Sequence, residues 1–519
     1  MISIDRRHFL ETAAVVGVGS ALPAPAAPAK PRPNVVLIYT DDQPLSEFNC
    51  YGGKVLSPHI DRMAKEGMRF DRFYISSAVC SPSRYSALTG RYACRGLKQQ
   101  RKCPPGGTIN IGWEAGIYGE DGTLPQILQS GGYFTGAVGK WMQGLGGKVK
   151  NPPAEATGRE PEVAALLKSN YGKVLKSVRN CGFDFAASIY LQNTGVPKGK
   201  RSTKKSWLPK VLRQHNQDWV TAGALEFLNQ ASQREQPFFL YMPTSLTHGP
   251  SPLASLRADP KIAASGYLDK APNVQPSRKD VMDRINQAGL PHGMAGVTWL
   301  DDGVGAVFKK LKEMGVTNNT LVILASDNGK RGKFTCYDSG ARMPCIMSWP
   351  GVIGPGSVCR ELTSNIDFAP TFYELAGIKA PTGVVVDGTS LVPLLTGEGT
   401  YTRSHLFLEI TYERAIVNGG NFKYIATRYP EKIQRLVDAG QKHSHWGLPM
   451  DDKVHHTYNA EKQYPGYFDV DQLYDLTKDP GEQRNLARDP AHADMLKKLQ
   501  AQLATVSHRL PHRFGEFRK

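Results

Sequence analysis

Four short apolar runs constrain the fold of this 519-residue chain more than any other feature, because each has the length of a buried strand. Asn34-Val35-Val36-Leu37-Ile38-Tyr39 is rich in β-branched residues and is followed by Asp41-Asp42. Thr135-Gly136-Ala137-Val138-Gly139 ends at Lys140. Phe238-Phe239-Leu240-Tyr241-Met242 leads to His248, and the run from Thr320 to Ser326 ends at Asp327. Helical patterns lie between them, from Pro58 to a stop at Gly67, from Trp219 to Asn229 and from Thr298 to Met314. Strands alternating with helices argue an α/β fold around a mostly parallel central sheet flanked by helices. In such sheets chemistry collects outside the carboxyl ends of the strands. Asp41, Asp42, Lys140, His248 and Asp327 all fall there.

The composition shifts near Leu391 to Gly397. Beyond that point Ser404 to Glu409, Arg414 to Val417 and Phe422 to Ala426 read as short strands of a hairpin-type sheet. Leu473 to Pro480 reads as a strand and turn, and Ala491 to Val506 as an amphipathic closing helix. The expected organisation is a large α/β domain over residues 30–396 and a smaller α+β subdomain over 397–519. The polar stretch from Val437 to Tyr467 carries His443, His445, His455 and His456 and reads as an irregular insertion. Its histidine spacings match no standard metal-ligand set.

Residues 1–29 read as an export signal. Arg6-Arg7-His8-Phe9-Leu10 is a twin-arginine pattern, an apolar run follows from Thr12 to about Leu22, and Ala27-Pro28-Ala29 offers a small-residue cleavage site. The expected location is periplasmic or secreted. A spanning helix needs ~20 apolar residues, which this run lacks, so no stable membrane insertion is expected. The formal net charge of +17 favours anionic partners. Nucleic acid is not the expected one, since no zinc finger, homeodomain or RNA-recognition signature is present. In an oxidising compartment Cys94 with Cys103, and Cys336 with Cys345, are the cysteine pairs close enough in sequence to bridge, with free buried thiols as the alternative.

Cys80-Ser81-Pro82-Ser83-Arg84 continues to Leu88-Thr89-Gly90-Arg91. Cys-x-Pro-x-Arg followed at this spacing by Leu-Thr-Gly-Arg resembles the signature of the type I, formylglycine-dependent sulfatases of the alkaline phosphatase superfamily. The resemblance extends from Asn34 to the C-terminal helix. It implies an alkaline-phosphatase-like large domain with a smaller C-terminal α+β domain, and hydrolysis of sulfate monoesters. It further implies that a maturation enzyme oxidises Cys80 to formylglycine. The hydrated aldehyde would present two hydroxyls, one to attack sulfur and the other to expel sulfate.

The same resemblance assigns further residues. Asp41-Asp42 looks like the family's paired metal-binding aspartates, and Asp327-Asn328-Gly329 like its Asp-Asn-Gly motif. With residue 80 they would form an oxygen-only site that suits Ca²⁺ ahead of Mg²⁺. Arg84 would neutralise developing charge and support the metal-binding carboxylates, and Lys140 and Lys333 would bind sulfate. His248, in Thr247-His248-Gly249-Pro250, resembles the leaving-group acid. Two departures stand out. Asp338-Ser339 replaces the usual acidic residue and first glycine beyond Lys333. Trp141-Met142-Gln143 stands where the family has a histidine shortly after its lysine, and His292 is the expected substitute base. Charge and export together point to a sulfated carbohydrate or polysaccharide as substrate. Lys330-Arg331, His292, Arg414 and the histidine-rich stretch would line its cleft. The alternatives are a phosphonate or phosphodiester hydrolase of the same fold, or a catalytically impaired polyanion-binding homologue.

Overall fold

Strand β1 (Asn34–Thr40) is buried at all seven positions. Val35, Leu37 and Tyr39 enter one core layer, and Val36 and Ile38 the opposite one. A strand covered on both faces has no solvent side, which is why its sequence shows no alternation. The computed structural model describes residues 32–103, 107–118, 122–145, 147–193, 207–447 and 460–517. The twin-arginine segment, His455 and His456 lie outside the described residues.

Seven further strands join β1 in an eight-stranded sheet. They are β2 (Met68–Phe70), β3 (Phe134–Lys140), β4 (Phe185–Tyr190), β5 (Phe238–Pro243), β6 (Thr320–Ser326), β7 (Cys345–Ser348) and β8 (Ser357–Cys359). Their spatial order is β8-β2-β7-β6-β1-β5-β3-β4. Central strand β1 pairs parallel on both sides, with Val36 opposite Leu240 of β5 and Val322 of β6. Only β7 runs against its neighbours, antiparallel to both β6 and β2. The expected mostly parallel sheet is present, and the four apolar runs are four of its central strands. The sequence pattern missed β2, β4, β7 and β8, which are short or interrupted by small residues.

Helices cover both faces. On one side α1 (Pro58–Glu66), α4 (Gln217–Ala231) and α5 (Ala295–Glu313) pack Met63, Phe227 and Val307 with Val36 and Ile38. On the other, α2 (Cys80–Thr89) and α6 (Phe368–Ala376) pack Leu88 and Phe372 with Val35 and Leu37. The nineteen-residue α3 (Pro161–Arg179), which no sequence signal singled out, contributes Leu167 to the first layer and Val178 to the second. Helix α2 stops at Gly90, whose φ of 68° is left-handed. A Cβ there would come within 2.9 Å of the Ala369 Cβ, so this helix end also needs glycine to pack against α6.

Beyond the large sheet, β9 (His405–Ile410), β10 (Glu413–Asn418), β11 (Phe422–Thr427) and β12 (Asp471–Asp475) form an antiparallel sheet in that order. The last helix, α7 (Ala493–Ser507), buries Leu499 and Leu503. The seam with the main sheet is polar. The Glu409 N–H donates to Ser76 O at 2.9 Å, and the Cys336 N–H to Glu413 Oε2 at 2.8 Å. Lys423 of β11 is fully buried there, paired with Asp338 and 2.8 Å from Glu482 Oε1. Among the described residues no helix is long and apolar enough to cross a membrane.

Three sequence expectations are corrected here. Neither disulfide forms, since Cys94, Cys336 and Cys345 are free buried thiols. Arg414 does not line a cleft. It is 4% exposed, donates to the carbonyls of Ile410 and Glu413, and lies over the Phe514 ring at 4.8 Å. His443 and His445, expected to line the cleft from an irregular insertion, are buried, and His445 stacks on Tyr467 at 3.9 Å beside Glu413.

Replacing Lys423 with Met should destabilise the fold by about 3–5 kcal/mol, because Glu482 would stay buried without its cation and Asp338 would keep only Arg342 at 3.4 Å. Urea unfolding should show the loss as a lower midpoint. An unchanged midpoint would mean that the seam does not depend on this ion pair.

Candidate active site

Cys80 opens α2 and is fully buried. Its thiol donates to Asp41 Oδ1 at 3.3 Å, while Lys333 Nζ and Asn328 Nδ2 approach its sulfur at 3.2 and 3.5 Å. Burial pushes the thiol up to about 12, and Asp327 and Asp41 add to the rise against Lys140 and Lys333. Residue 80 as cysteine is therefore a protonated thiol, a poor nucleophile.

The chain ends of β1 and β6 bring three carboxylates around that sulfur. Asp41 and Asp42 follow β1, and Asp327 follows β6, with the Asp42 N–H 3.3 Å from Asp327 Oδ1. Asp42 has a left-handed φ of 57°, a conformation held against its intrinsic preference. Each carboxylate meets a cation. Lys140 Nζ pairs with Asp41 Oδ2, and Lys333 Nζ lies 2.6 Å from Asp42 Oδ1. Arg84 donates through Nε at 2.9 Å and through a terminal nitrogen at 2.8 Å to Asp327 Oδ2. Burial alone would raise the Asp41 carboxyl, but Lys140, His248, Arg84 and Lys333 together hold it far below the usual range. Asp327 is pushed up, by burial and by the charge of Asp41, in spite of Arg84.

Lys140 reaches the cluster through a backbone irregularity. The register of β3 with β4 shifts between Val138 and Gly139, as at a bulge that re-aims the following side chain. Gly139 has a φ of 91°, and a Cβ there would sit 1.8 Å from Pro243 O. Only glycine fits this approach.

His248 lies on the loop after β5. Its Nδ1 is 2.8 Å from Gly249 O, an acceptor, so Nδ1 carries the proton. Nε2 then points to Asn193 Nδ2 at 3.1 Å and to Asp42 Oδ2 at 3.4 Å. Burial lowers the affinity of this ring for a second proton, against Asp42 and Asp41. The loop is pinned from below by His215. Ser245 Oγ lies 2.8 Å from its Nδ1, and its Nε2 donates to His248 O at 2.8 Å and Pro250 O at 3.0 Å. Burial pulls His215 down to about 4.

Asp41, Asp42, Cys80, Arg84, Lys140, His248, Asp327, Asn328 and Lys333 thus come together. His292 does not join them. It is exposed and bonds Asn286 Oδ1 at 2.9 Å, so it is no substitute base. His215 has both ring nitrogens engaged. Met142 stands at the position of the missing histidine, and its neighbour Gln143 is buried and donates to Ser81 O at 2.9 Å. Sequence reading missed Asn193, His215 and Gln143, which belong to no local motif. The His-Gly-Pro run from His248 to Pro250 carries no hint of a second histidine beneath the loop. Lys330 and Arg331 are exposed on the loop that leads to Lys333.

The donor set fits a hard cation. Ligand atoms of Asp41, Asp42, Cys80 and His248 lie within 4.8 Å of one another. Asn328 Oδ1, beside Asp327, is buried without a hydrogen-bond partner. A buried carboxamide oxygen left unpaired next to three carboxylates is what an oxygen-seeking ion would satisfy.

A family model described as Sulfatase matches residues 33–378, and one described as N-sulphoglucosamine sulphohydrolase, C-terminal, matches residues 328–433. Arylsulfatase A of Homo sapiens is 29% identical to this chain, covering 90% of it and 85% of that protein. An N-acetylgalactosamine-6-O-sulfatase of Bacteroides thetaiotaomicron is 26% identical, covering 92% and 94%. A solved structure from Bacteroides thetaiotaomicron, described under the metabolism of multiple glycosaminoglycans, shares the fold with a TM-score of 0.63 at 22% identity, covering 92% of this chain and all of that one (100%). Another, in complex with its substrate D-glucosamine-2-N,6-O-disulfate, has a TM-score of 0.57 at 20% identity, covering 92% and 98%.

The buried His215 makes stability depend on pH. Below about pH 6.5 the unfolded chain takes up a proton there that the folded chain refuses until about pH 4. Stability should therefore fall as the pH drops through that window, by roughly 3 kcal/mol in total from this group. His215→Gln keeps an N–H for the two carbonyls and cannot titrate. Its urea midpoint should fall less steeply from pH 6.5 to 4 than that of the parent. Parallel curves would show that His215 is not the neutral, loop-pinning group described.

Proposed function

The chain belongs to the sulfatase family and is a sulfuric ester hydrolase, and from that premise we propose that it releases sulfate from a sulfated carbohydrate through residue 80 converted to formylglycine. One observation carries the conversion. Cys80 is the point on which Asp41, Asn328 and Lys333 converge, yet its thiol is pushed up to about 12. A side chain so placed and so protonated makes chemical sense as the precursor of another group. Converted, residue 80 supplies the two hydroxyls of a hydrated aldehyde, one to attack sulfur and one to let sulfate go. Asp41, Asp42, Asp327 and Asn328 would hold a hard cation, Ca²⁺ ahead of Mg²⁺, which would supply positive charge toward the sulfate oxygens.

The chain's own residues do the rest. The ammonium groups of Lys140, at the end of β3, and Lys333, on the loop beyond β6, flank the nucleophile position and bind the sulfate oxygens in a site closed to water. Arg84 fixes Asp327 by two hydrogen bonds to one oxygen and opposes the rise that burial and Asp41 impose on that carboxyl. His248, with Nδ1 committed to Gly249, turns Nε2 toward the cluster; Asp42 and Asp41 favour the imidazolium against burial, and in that form Nε2 can hand a proton to the departing alcohol. Asn193 and the His215 brace orient that ring.

The carbohydrate reading rests on the relatives' names, among them the N-acetylgalactosamine-6-O-sulfatase, and on the +17 charge, which draws polyanions. The export pattern in residues 1–29 supports a periplasmic or secreted enzyme. Since Cys80 is fully buried, the maturation enzyme would have to act before this site closes.

Two outcomes test the reading. Cys80→Ser should fold normally and release no sulfate from sulfated N-acetylgalactosamine or glucosamine, measured by ion chromatography. Peptide mass spectrometry of active protein should find an aldehyde at position 80, and full activity with only a thiol there would end the proposal. In a separate series, His248→Ala should slow alcohol-type sugar sulfates by ~10²–10⁴ while activated aryl sulfates lose far less, because only the former need a proton on leaving. Equal losses on both would remove His248 from the acid role.

A further inference from the structure

The catalytic cluster occupies the middle of the rim formed by the carboxyl ends of the strands. A second concavity, of about 680 Å³, lies along the same rim at the β2–β8 edge. Arg69 lies within β2 and Arg72 two residues beyond its end, and Arg360 directly follows β8, which runs parallel to β2. Arg342 precedes β7, whose reversed direction brings its start to that rim as well. The opposite wall comes from the C-terminal sheet, through Asn421 in the β10–β11 turn and Leu476 after β12. Four guanidinium groups line the cavity against a single carboxylate, Asp71.

These arginines are only partly used by the fold. Arg69 bonds Asp71 Oδ1 at 2.8 Å and Cys50 O at 2.6 Å. Arg72 donates to Asn418 O at 2.8 Å and Gly419 O at 3.1 Å, both neutral carbonyls. Arg342 reaches Asp338 at 3.4 Å, a carboxylate already paired with the buried Lys423, and its Nε is buried with no acceptor. Arg360 is exposed and has no bonded partner among the described residues. An excess of planar, donor-rich cations in a cavity of ligand size is a site for oxyanions that accept paired hydrogen bonds.

We propose that this cavity binds sulfate groups of a sulfated saccharide strand at a position separate from the catalytic cluster, so that the enzyme holds the polymer at two points. The proposal rests on the reading that the substrate is a sulfated carbohydrate. Two linked contacts raise the effective concentration of the strand at the catalytic cluster with no new contact there. A monosaccharide sulfate gains nothing from it.

The test is binding without turnover. Full-length protein with Cys80 left unconverted is titrated into a fluorescently labelled dextran sulfate oligosaccharide, followed by anisotropy. Arg342→Gln/Arg360→Gln should weaken Kd about tenfold and flatten its dependence on salt. Lys279→Gln/Lys309→Gln removes the same charge from exposed helix faces and should leave Kd unchanged. Thermal melting checks the fold, and Arg360→Gln alone, at an exposed residue with no hydrogen bond or ion pair among the described residues, should still weaken binding if the double variant melts early. Equal weakening by the arginine and lysine pairs would reduce the effect to overall charge and overturn the site. Displacement by inorganic sulfate at matched sulfate concentration would leave a small-anion site and overturn the strand reading. Tighter binding of a polyphosphate of equal length would overturn the saccharide assignment. A chain that bound the strand as expected yet, once converted, released no sulfate would count against the proposed function and leave this site standing.

Discussion

Three carboxylates gathered in a site with almost no solvent can persist only if cations meet them there, and everything else in the structure serves that meeting. Asp41, Asp42 and Asp327 are at most 4% exposed. Leaving one such charge buried and unpaired costs several kcal/mol. Lys140, Lys333 and Arg84 arrive from three different elements, the bulged end of β3, a loop beyond β6 and the first turns of α2. Register decides that the aspartates converge at all. Thr40 lies opposite Ser326, and Tyr39 opposite Pro243, so the residues that follow leave the sheet side by side. A one-residue slip of β1 against β6 would send its whole pattern to the other face and dissolve the cluster.

The smaller sheet takes part in this although none of its residues touches Cys80. Glu413 on β10 accepts the Cys336 N–H at 2.8 Å, three residues beyond Lys333. Lys423 on β11 donates to Cys336 O at 3.1 Å and pairs with Asp338 two residues further on. The loop that carries Lys333 is therefore clamped by the C-terminal sheet through its backbone. Such a clamp is what a pre-organised electrostatic site needs, since a lysine held in place by folding requires no reorganisation during the reaction.

The loop after β3 shows how a departure from the family pattern is accommodated. Met142 takes a left-handed φ of 53°, and the next residue, Gln143, turns inward to hold Ser81 O at 2.9 Å, next to the nucleophile position. Its Oε1 is buried without a partner. Met142 thus stands in the position of an ionisable ring, and the neutral amide beside it braces the start of α2. The histidine nearest in the chain, His215, serves the His248 loop instead.

Much of the site was legible in the sequence because burial on two faces writes itself as an uninterrupted apolar run, and the polar residue that ends such a run must leave the sheet at its carboxyl edge. That is why Asp41, Asp42, Lys140, His248 and Asp327 could be placed from β1, β3, β5 and β6 alone. The edge strands were silent. A three-residue strand such as Met68–Phe70 has no period of its own and exists because β7 and β8 pair with it on either side. Arg414 and His445 looked like cleft or surface residues and are buried, since Phe514 and Tyr467, distant in the chain, close over them. Asn193, His215 and the arginines of the second cavity belong to no local pattern. The amino-acid sequence by itself determined which side chains leave water and where each strand stops, because those follow from short-range periodicity. Which cation each carboxylate meets, and which histidine stands behind His248, was decided only by the tertiary structure, because strand register and loop closure set those partners across up to hundreds of residues.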